Sequence, residues 1–369
     1  MDYSNPSLTL ISDQVSPGAI RWRSPSNIAL VKYWGKHGRQ LPRNASVSLT
    51  LDGAATDTTL HYAARQYADE RPIDLELTFE GKSEDNFARK TLDYFASLLE
   101  VYPFLRQLSF RVETSNSFPH SAGIASSASG MSALALCLVS LEERLFEPLA
   151  DRDTLLRKAS YLARLGSGSA CRSVYPRAAV WGKSDAVDGS SDEFALPVDL
   201  SDTFAGYHDD ILLISRSPKA VSSRAGHGLM EGNPYATARY QQADRRLVEM
   251  TRVLRSSDTE KFGQLLESEA LTLHALMMSS MPSYTLLEPN TLEVINRIYE
   301  FRRETHTPVY FTLDAGPNIH LLYPDSVADT TKHFIRERLL PYCDDGRYLA
   351  DRVGDGPQQL EVNTTTDRP

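Results

Sequence analysis

The sequence predicts an α+β protein, with strands and helices in both halves of the chain. Short segments such as 46–51 (SVSLTL) and 75–79 (LELTF) alternate apolar and polar residues, which is the two-residue period of a half-buried strand. The segment 85–102 instead places its apolar residues on one face of a helix. Because such segments follow one another along 369 residues without an internal repeat, we exclude a solenoid and an all-helical bundle.

The chain is predicted to fold as two domains, 19–200 and 201–350, with a boundary before a buried strand at 211–215 (ILLIS). The polar ends, 1–18 and 351–369, contain Pro and Gly and are predicted to be flexible tails. Expected in the first domain are strands at 46–51, 75–79 and 108–112, helices at 85–102 and 151–165, and an Ala/Leu-rich helix after residues 119–130. Expected in the second are strands at 211–215, 309–313 and 319–323, and helices at about 233–255, 258–280 and 289–304.

Composition and charge restrict the class of protein. The 39 Lys and Arg against 48 Asp and Glu leave a net charge of -9, which argues against general nucleic-acid binding but not against a local basic pocket. Three cysteines without a CxxC pair predict reduced thiols in the cytoplasm. The start lacks a signal-peptide pattern, and the longest apolar run, 131–141, is too short to cross a bilayer, so no membrane partner is expected.

A serine-rich turn at 119–130 (PHSAGIASSASG) leads directly into the Ala/Leu helix. Small residues allow a backbone to approach an anion, and a helix N-terminus offers unpaired N–H groups. Ser126, Ser127 and Ser129 add hydroxyl donors. These features predict a phosphate cradle, although no lysine follows the glycine as in the GxxxxGK[ST] loop. The alternative is a small-residue helix start packed tightly on a neighbour.

Two further segments carry cations. In 27–36 (NIALVKYWGK), Lys32 and Lys36 are four residues apart with aromatic residues between them, which places cations beside an apolar wall. In 166–173 (GSGSACRS), two Gly-Ser pairs precede Arg172, whose guanidinium can bind phosphate oxygens in a bidentate way. The alternatives are an edge strand with solvated lysines for the first segment and a flexible loop for the second.

The fourth segment is 312–318 (TLDAGPN), in which Asp314 ends an apolar strand at a sharp turn. It is either a carboxylate presented to a site or one that stabilises its own turn. The nine histidines show no HxxxH or HExxH spacing, so no metal held by histidines is expected. The GxSxG and GxGxxG motifs of hydrolases and dinucleotide enzymes are absent from the sequence.

Together, in this order, the four segments resemble the GHMP kinase superfamily and, within it, the diphosphomevalonate decarboxylases. The resemblance runs from about residue 20 to 323, and NIALVKYWGK, GSGSACRS and LDAGPN are its specific marks. The segment 219–230 (KAVSSRAGHGLM) is similar to the VSS-containing substrate loop of that family. The family implies a ribosomal-protein-S5-like N-terminal module, a ferredoxin-like C-terminal module, and an active site in the cleft between them.

The resemblance also implies a reaction and the residues that perform it. ATP and (R)-5-diphosphomevalonate would give isopentenyl diphosphate, ADP, phosphate and CO₂, with ATP and Mg²⁺ as cofactors and a homodimer as the assembly. The implied catalytic residues are Asp314, Lys32 and Ser127. Those implied for substrate binding are Tyr33, Lys36, Ser167, Ser169, Arg172 and Ser222, and those for ATP are Asn116, Ser121, Gly123, Ser126, Ser127 and Ser129.

Several positions depart from the family pattern without removing a catalytic group. Arg43 and Ala45 are unusual against the common LPxNSS, and Ser117 stands for the second Asn of Asn-Asn-Phe-Pro. His120 and Ser121 replace the commoner Thr-Ala, and Leu313 stands where Phe is frequent. These changes bear on substrate choice more than on reaction type. The alternatives therefore include a decarboxylase of 5-phosphomevalonate, a mevalonate-type kinase without decarboxylation, and a non-catalytic nucleotide or metabolite sensor.

Overall fold

The computed structural model describes residues 3–10, 15–66, 71–119, 126–217 and 221–362. Within these ranges the strands are β1 (Gly18–Val31), β2 (Lys36–His37), β3 (Leu41–Pro42), β4 (Ser46–Ala64), β5 (Asp74–Phe79), β6 (Lys82–Ser83), β7 (Leu108–Asn116), β8 (Ala178–Trp181), β9 (Ala195–Pro197), β10 (Tyr207–Leu212), β11 (Tyr310–Thr312), β12 (Ile319–Pro324), β13 (Tyr348–Leu349) and β14 (Gln358–Leu360). The helices are α1 (Asp85–Ser97), α2 (Ser126–Leu145), α3 (Arg152–Gly166), α4 (Asp202–Ala205), α5 (Ser223–Gly228), α6 (Ala236–Ser256), α7 (Thr259–Met278), α8 (Pro289–Thr305) and α9 (Ala328–Phe334).

The N-terminal half is built on a large mixed sheet. Its strand order is β14-β1-β4-β7-β5-β6, with β8 paired to β4 and β9 to β8, and β5 runs parallel to β7 while the other pairs are antiparallel. Helix α2 lies against β1 and β4, and its residues are buried on nearly all sides. A helix that is apolar all round belongs inside a core, which explains the unbroken Ala/Leu run.

The C-terminal half is built on a second, antiparallel sheet in the order β11-β12-β10-β13. All six residues of β12 are buried, so both faces of this strand are covered. Helices α7 and α8 contact β11, and Ile298 and Phe301 of α8 belong to the same core cluster as Phe311 and Leu321. The predicted α+β class is confirmed, with strands and helices in both halves.

The two halves share a hydrophobic cluster. Val47 and Val180 from the first sheet belong to one core with Leu247 of α6 and Phe262 of α7. The predicted boundary at 200/201 falls between β9 and α4, and the division into domains at that point stays a prediction. Among the described helices, none is both long and apolar enough to cross a membrane.

The segment after Asp351 was expected to be a flexible tail, yet its described part, 351–362, is tied to the first sheet. The Asp351 carboxylate accepts hydrogen bonds from the backbone N–H groups of Asp52, Gly53 and Ala54, at 2.7–3.0 Å. Strand β14 then pairs with β1. The polar composition predicted exposure, but the backbone hydrogen bonds of an extended segment are satisfied by the edge of a sheet whatever its side chains.

The predicted helices are found with small changes at their ends. The largest difference is α1, which ends at Ser97 rather than at 102, because Leu98 is its C-cap and a short 3₁₀ helix starts at Pro103. The apolar face continues through this break, since Leu98 and Tyr102 are both buried. A helical spacing of buried residues therefore extended beyond the helix itself.

Candidate active site

Lys32 and Asp314 form an ion pair at the junction of the two halves. Lys32 follows the last residue of β1, and Asp314 comes two residues after β11. The Lys32 Nζ atom donates to Asp314 Oδ1 at 2.9 Å, and the side chains are 2% and 29% exposed, respectively. The ammonium group is thus buried while the carboxylate reaches solvent, so a bound molecule can contact the acid directly.

A buried charge network holds the backbone of Lys32. Glu269 of α7 accepts the Lys32 N–H at 2.9 Å, and Arg239 of α6 donates to the Lys32 carbonyl at 2.8 Å. The Glu269 carboxylate also accepts from Arg239, at 2.6 and 2.7 Å, and from Arg246, at 2.6 Å. Burial alone would raise the pKa of Glu269, but the hydrogen bonds and charges of these arginines hold it below its ordinary value. Asn44 adds a hydrogen bond to the Lys32 carbonyl.

The turn after β11 directs the Asp314 side chain toward Lys32. The Gly316 N–H donates to the Asp314 carbonyl at 2.7 Å, and the His274 Nε2 atom lies 3.2 Å from the same carbonyl oxygen. Main-chain atoms therefore close this turn, and the carboxylate pairs with Lys32 instead of closing it. This geometry favours a carboxylate presented to a site over one that only stabilises its own turn.

Arg172 is a buried cation whose side-chain hydrogen-bond partners are all neutral. Its guanidinium donates to Ser46 Oγ at 2.5 Å, to Ser48 Oγ at 2.7 Å, and to Asn27 Oδ1 at 3.4 Å. Among the described residues, no carboxylate lies within ion-pair distance of it. Burial lowers the pKa of Arg172, and a desolvated charge is costly unless an opposite charge compensates it. An anionic ligand would supply that compensation.

Tyr33 joins the Lys32 segment to GSGSACRS. Its ring packs edge-on against Trp181, with centroids 4.8 Å apart, and the Arg172 guanidinium lies 6.0 Å from its centroid. A Cβ on Gly168 would lie 2.8 Å from the Tyr33 hydroxyl, so this close approach requires glycine. Burial raises the pKa of Tyr33, so its hydroxyl is a neutral donor.

The start of α2 reaches the same segment. Ser127 Oγ lies 3.2 Å from Ser167 Oγ, and Ser127 is exposed. The structure thus brings Asp314, Lys32, Tyr33 and the two serines into one connected region. The positions come from both sheets and from α2, although they are spread over most of the chain.

The remaining predicted residues lie at or near this region with differing exposure. Lys36 donates to Gln40 Oε1 at 2.9 Å and is half-buried, and the Ser169 carbonyl accepts from Asn27 at 3.2 Å. Ser222 is exposed, and its hydroxyl accepts from the Ala225 N–H as the N-cap of α5. The helix-cap contact alone explains a serine at this position.

The residues predicted for ATP follow one hydrogen-bonded chain. Thr56 Oγ1 donates to Asn116 Oδ1 at 2.8 Å and lies 2.6 Å from Ser129 Oγ. Ser129 is fully buried and donates to the Ser126 carbonyl, so its hydroxyl faces the protein interior rather than the cleft. Ser126 itself is half-buried. The predicted Ser121 and Gly123 lie outside the described residues.

Several residues that support the site were not predicted from the sequence. Asn27 and Asn44 lie inside the quoted motifs, and Ser46 and Ser48 form one face of an alternating strand. A polar face on a strand is usually read as solvent-facing, which concealed their role as partners of Arg172. Residues without any local signal are Arg239, Arg246, Glu269 and His274, which occupy ordinary helical positions.

Comparison with known proteins decides the family. The model of the diphosphomevalonate decarboxylase-like N-terminal domain matches residues 24–195, and that of the mevalonate 5-diphosphate decarboxylase C-terminal domain matches 211–364. The diphosphomevalonate decarboxylase of Bos taurus is 31% identical over 85% of this chain and 78% of its own length. This chain belongs to the diphosphomevalonate decarboxylase family. The Homo sapiens enzyme of that name is 30% identical over 86% of this chain and 79% of its own length.

Solved structures agree with this assignment. The mevalonate diphosphate decarboxylase of Staphylococcus aureus is matched with a TM-score of 0.80 and 27% identity, over 94% of this chain and 99% of that one. A chain solved in complex with MVAPP, AMPPCP and magnesium is matched with the same TM-score and identity, over 94% of this chain and 100% of that one. The protein therefore has the two-domain architecture of the GHMP kinase fold, as the motifs predicted.

Proposed function

We propose that this protein catalyses the ATP-dependent decarboxylation of (R)-5-diphosphomevalonate to isopentenyl diphosphate, with ADP, phosphate and CO₂ as the other products. The Lys32–Asp314 pair carries this proposal, because it combines a solvent-reaching carboxylate with a buried ammonium group at 2.9 Å. The membership of the chain in the diphosphomevalonate decarboxylase family supports it.

Asp314 acts on the tertiary C3 hydroxyl of the substrate. A tertiary hydroxyl is a poor leaving group, so it first takes the γ-phosphoryl group of ATP. The Asp314 carboxylate orients this hydroxyl and accepts its proton as the new O–P bond forms and the bond from the γ-phosphorus to ADP breaks. The C3–O bond then breaks, phosphate leaves with the bonding electrons, and C3 becomes positively charged. The bond between C2 and the carboxylate then breaks, and its electrons form the C2=C3 double bond as CO₂ departs.

Lys32 and Asp314 provide opposite charges for successive steps of this reaction. The ammonium group of Lys32 stabilises negative charge on the transferring phosphoryl group, which is the main electrostatic need of phosphoryl transfer. Once the proton taken up by Asp314 has passed to the departing phosphate, the restored negative charge of Asp314 stabilises the developing positive charge at C3. Because the Lys32 backbone is held by Glu269, Arg239 and Asn44, its side chain is preorganised for this role.

The diphosphate group is proposed to bind at the second cationic region. Arg172 is buried and forms no ion pair with a carboxylate among the described residues, so an incoming diphosphate would supply one. Tyr33 lies beside its guanidinium and has a neutral hydroxyl to donate. The further binding residues that we propose are Lys36, Ser167, Ser169 and Ser222.

ATP is proposed to bind with its phosphates at the start of α2. The first N–H groups of this 20-residue helix have no partner within the helix, the positive end of its dipole lies at the same point, and Ser127 is exposed there. The other residues proposed for this site are Asn116, Ser121, Gly123 and Ser126. The predicted Ser129 supports them from the interior through its hydrogen bond to the Ser126 carbonyl.

Mg²⁺ would neutralise charge on the ATP phosphates when bound. In the described part of the chain, no group of three His, Cys, Asp or Glu could hold a metal ion. Such a donor set fits Mg²⁺, because phosphoryl-transfer sites hold this ion chiefly through phosphate oxygens and water, with few protein ligands. We propose MgATP as the cosubstrate, a homodimer as the assembly, and a cytoplasmic location.

The test is a coupled measurement of ADP and CO₂ release with MgATP, run in parallel on 5-diphosphomevalonate and 5-phosphomevalonate. We expect one CO₂ for each ADP from the diphosphate. The same ratio from the monophosphate alone would replace the proposed substrate, and ADP without CO₂ would make the protein a kinase. Neither product, with ATP still bound, would indicate a sensor and refute the proposal.

A further inference from the structure

A histidine on α5 makes unusually close contacts with the turn that follows β1. His227 is 7% exposed, and its Nδ1 atom accepts the backbone N–H of Gly35 at 2.9 Å. Its ring packs against two aromatic rings of the turn, with centroids 4.5 Å from Tyr33 and 4.4 Å from Trp34. One imidazole thus contacts all three residues of the turn.

The backbone of both partners is adapted to this contact. Gly35 has a φ of 105°, which L side chains rarely adopt, and a Cβ there would collide with the Tyr240 hydroxyl. A Cβ on Gly226, next to His227, would lie 2.5 Å from the Trp34 indole and 2.6 Å from the Tyr284 hydroxyl. Helix α5 can therefore approach Trp34 this closely only because glycine occupies position 226, while glycine at position 35 permits the positive φ of the turn beside Tyr240 of α6.

The hydrogen bond defines the ionisation state of the ring. An Nδ1 atom that accepts a hydrogen bond carries no proton, so the imidazole is the neutral tautomer with its proton on Nε2. Burial, and next the positive charge of Lys36, lower the pKa of His227 to about 3. The acceptor is thus retained throughout the neutral pH range.

We propose that His227 is a positioning residue for substrate binding, which holds the 33–35 turn so that Tyr33 lies beside Arg172. The inference rests on the proposed function, because it takes Tyr33 and Arg172 as the diphosphate site. The Tyr33 ring contacts two neighbouring rings, those of His227 and Trp181. Loss of His227 removes one of these two contacts and leaves the Gly35 N–H without its acceptor.

This arrangement gives segment 221–230 a role in substrate affinity. The segment contributes through His227 to the turn, in addition to any direct contact with the substrate. Asp314 and Lys32 are held by other groups, namely His274, Glu269 and Arg239. A defect at His227 is therefore expected in substrate binding and not in the chemical step.

Three variants separate the hydrogen bond of the ring from its aromatic packing. His227→Ala removes both interactions, His227→Asn retains an acceptor close to the position of Nδ1, and His227→Phe retains an aromatic ring. His333→Ala, on α9, is the matched control because that histidine is exposed. For each variant we would measure kcat, the KM for 5-diphosphomevalonate, the KM for ATP and the melting temperature. Binding of inorganic diphosphate would be measured by calorimetry.

For His227→Ala we expect the KM for 5-diphosphomevalonate to rise about tenfold, as the loss of one buried hydrogen bond predicts. The kcat and the KM for ATP should stay within about twofold of the wild-type values, since His227 contacts neither the Lys32–Asp314 pair nor α2. His227→Asn and His227→Phe should each recover part of the affinity, and affinity for inorganic diphosphate should follow the same order.

An unchanged KM for 5-diphosphomevalonate in His227→Ala would overturn the proposal. So would an equal rise in both KM values with a lowered melting temperature, which would show a general packing role. If His227→Ala does not fold, the comparison of His227→Asn with wild type decides the question by the same criteria. Absence of decarboxylation by wild type would instead refute the proposed function, while diphosphate binding would still report on His227.

Discussion

Substitution of Glu269 by glutamine tests whether the buried charge network holds the site together. Glu269 is fully buried and accepts hydrogen bonds from Arg239, Arg246 and the Lys32 backbone. Glutamine has nearly the same shape as glutamate but carries no charge. Its NH₂ group would face an N–H donor that in the wild type binds a carboxylate oxygen. The change therefore removes the charge of the carboxylate together with one of its two acceptor oxygens.

The magnitude follows from the burial of the partner. Arg239 has 1% of its side chain exposed, so it would become a buried cation without a carboxylate. Breaking a buried ion pair by removing one partner costs about 3–5 kcal/mol. For comparison, Glu249 pairs with Lys261 at 3.3 Å, with 46% and 44% of the side chains exposed. Glu249→Gln should cost less than about 1 kcal/mol, because such surface pairs are screened by water.

Urea denaturation of the two variants measures this difference. We expect Glu269→Gln to lower the free energy of unfolding by about 3–5 kcal/mol with an unchanged m-value, and Glu249→Gln to be close to wild type. The kcat of Glu269→Gln should also fall, because the Lys32 backbone loses an acceptor. A loss of stability no larger than that of Glu249→Gln would refute the reasoning that this network is strongly coupled.

Three further predictions concern the site and the second sheet. Asp314→Ala should lower kcat by roughly 10²–10⁴-fold while ATP still binds, because the carboxylate acts at the reacting centre. Arg172→Ala should raise the KM for 5-diphosphomevalonate about 10- to 100-fold, from the loss of charge-assisted hydrogen bonds. Burial raises the pKa of Asp210 to about 6. Between about pH 4 and pH 6 the folded protein therefore holds a proton on this carboxyl group that the unfolded chain has released. Wild-type stability contributed by this group therefore falls as pH rises through that window, and Asp210→Asn should gain up to about 3 kcal/mol relative to wild type between pH 4 and pH 7.

Exposed residues of the same types serve as controls. Asp355 and Arg177 have 89% and 57% of their side chains exposed, so their alanine variants should keep wild-type kcat and KM. Steady-state kinetics and ATP binding by calorimetry check the first two predictions. Near-normal kcat in Asp314→Ala, or an unchanged KM in Arg172→Ala, would remove the assigned role. For Asp210→Asn, urea titrations at several pH values check the trend, and a constant difference from wild type would contradict it.

Local sequence patterns predicted the longer helices and six of the fourteen described strands, although β10 lies at Tyr207–Leu212 rather than at the expected 211–215. Helix α8 was expected at about 289–304 and is found at Pro289–Thr305. Its N-terminal Pro and its apolar spacing are features of its own sequence and do not depend on distant contacts. Strand β12 was expected at 319–323 and extends by one residue, to Pro324. Ends were less accurate where burial continued past the hydrogen-bonded helix, as after Ser97. The described part of the C-terminal tail differed most, since pairing with a sheet edge leaves no side-chain pattern.

The catalytic motifs were recognisable from the sequence because residue type and spacing restrict chemistry. Lys32, Asp314 and Arg172 were each identified within a short segment. Their partners were not, because a hydrogen bond such as that between Arg172 and Ser46 joins residues 126 positions apart. A serine on an alternating strand has the same local pattern whether it faces water or a buried guanidinium.

Residue types and their local spacing were enough to predict the fold class, the family resemblance and the residues that carry charge into the site. Which of those charges meet, and how each is held, depends on tertiary packing. Lys32 and Asp314 are 282 positions apart, and their 2.9 Å contact requires that two sheets pack around a shared core. The same holds for Glu269 beneath Lys32 and for His227 against the 33–35 turn. Periodicity reports which face of an element is buried, but it carries no information on which distant element covers that face.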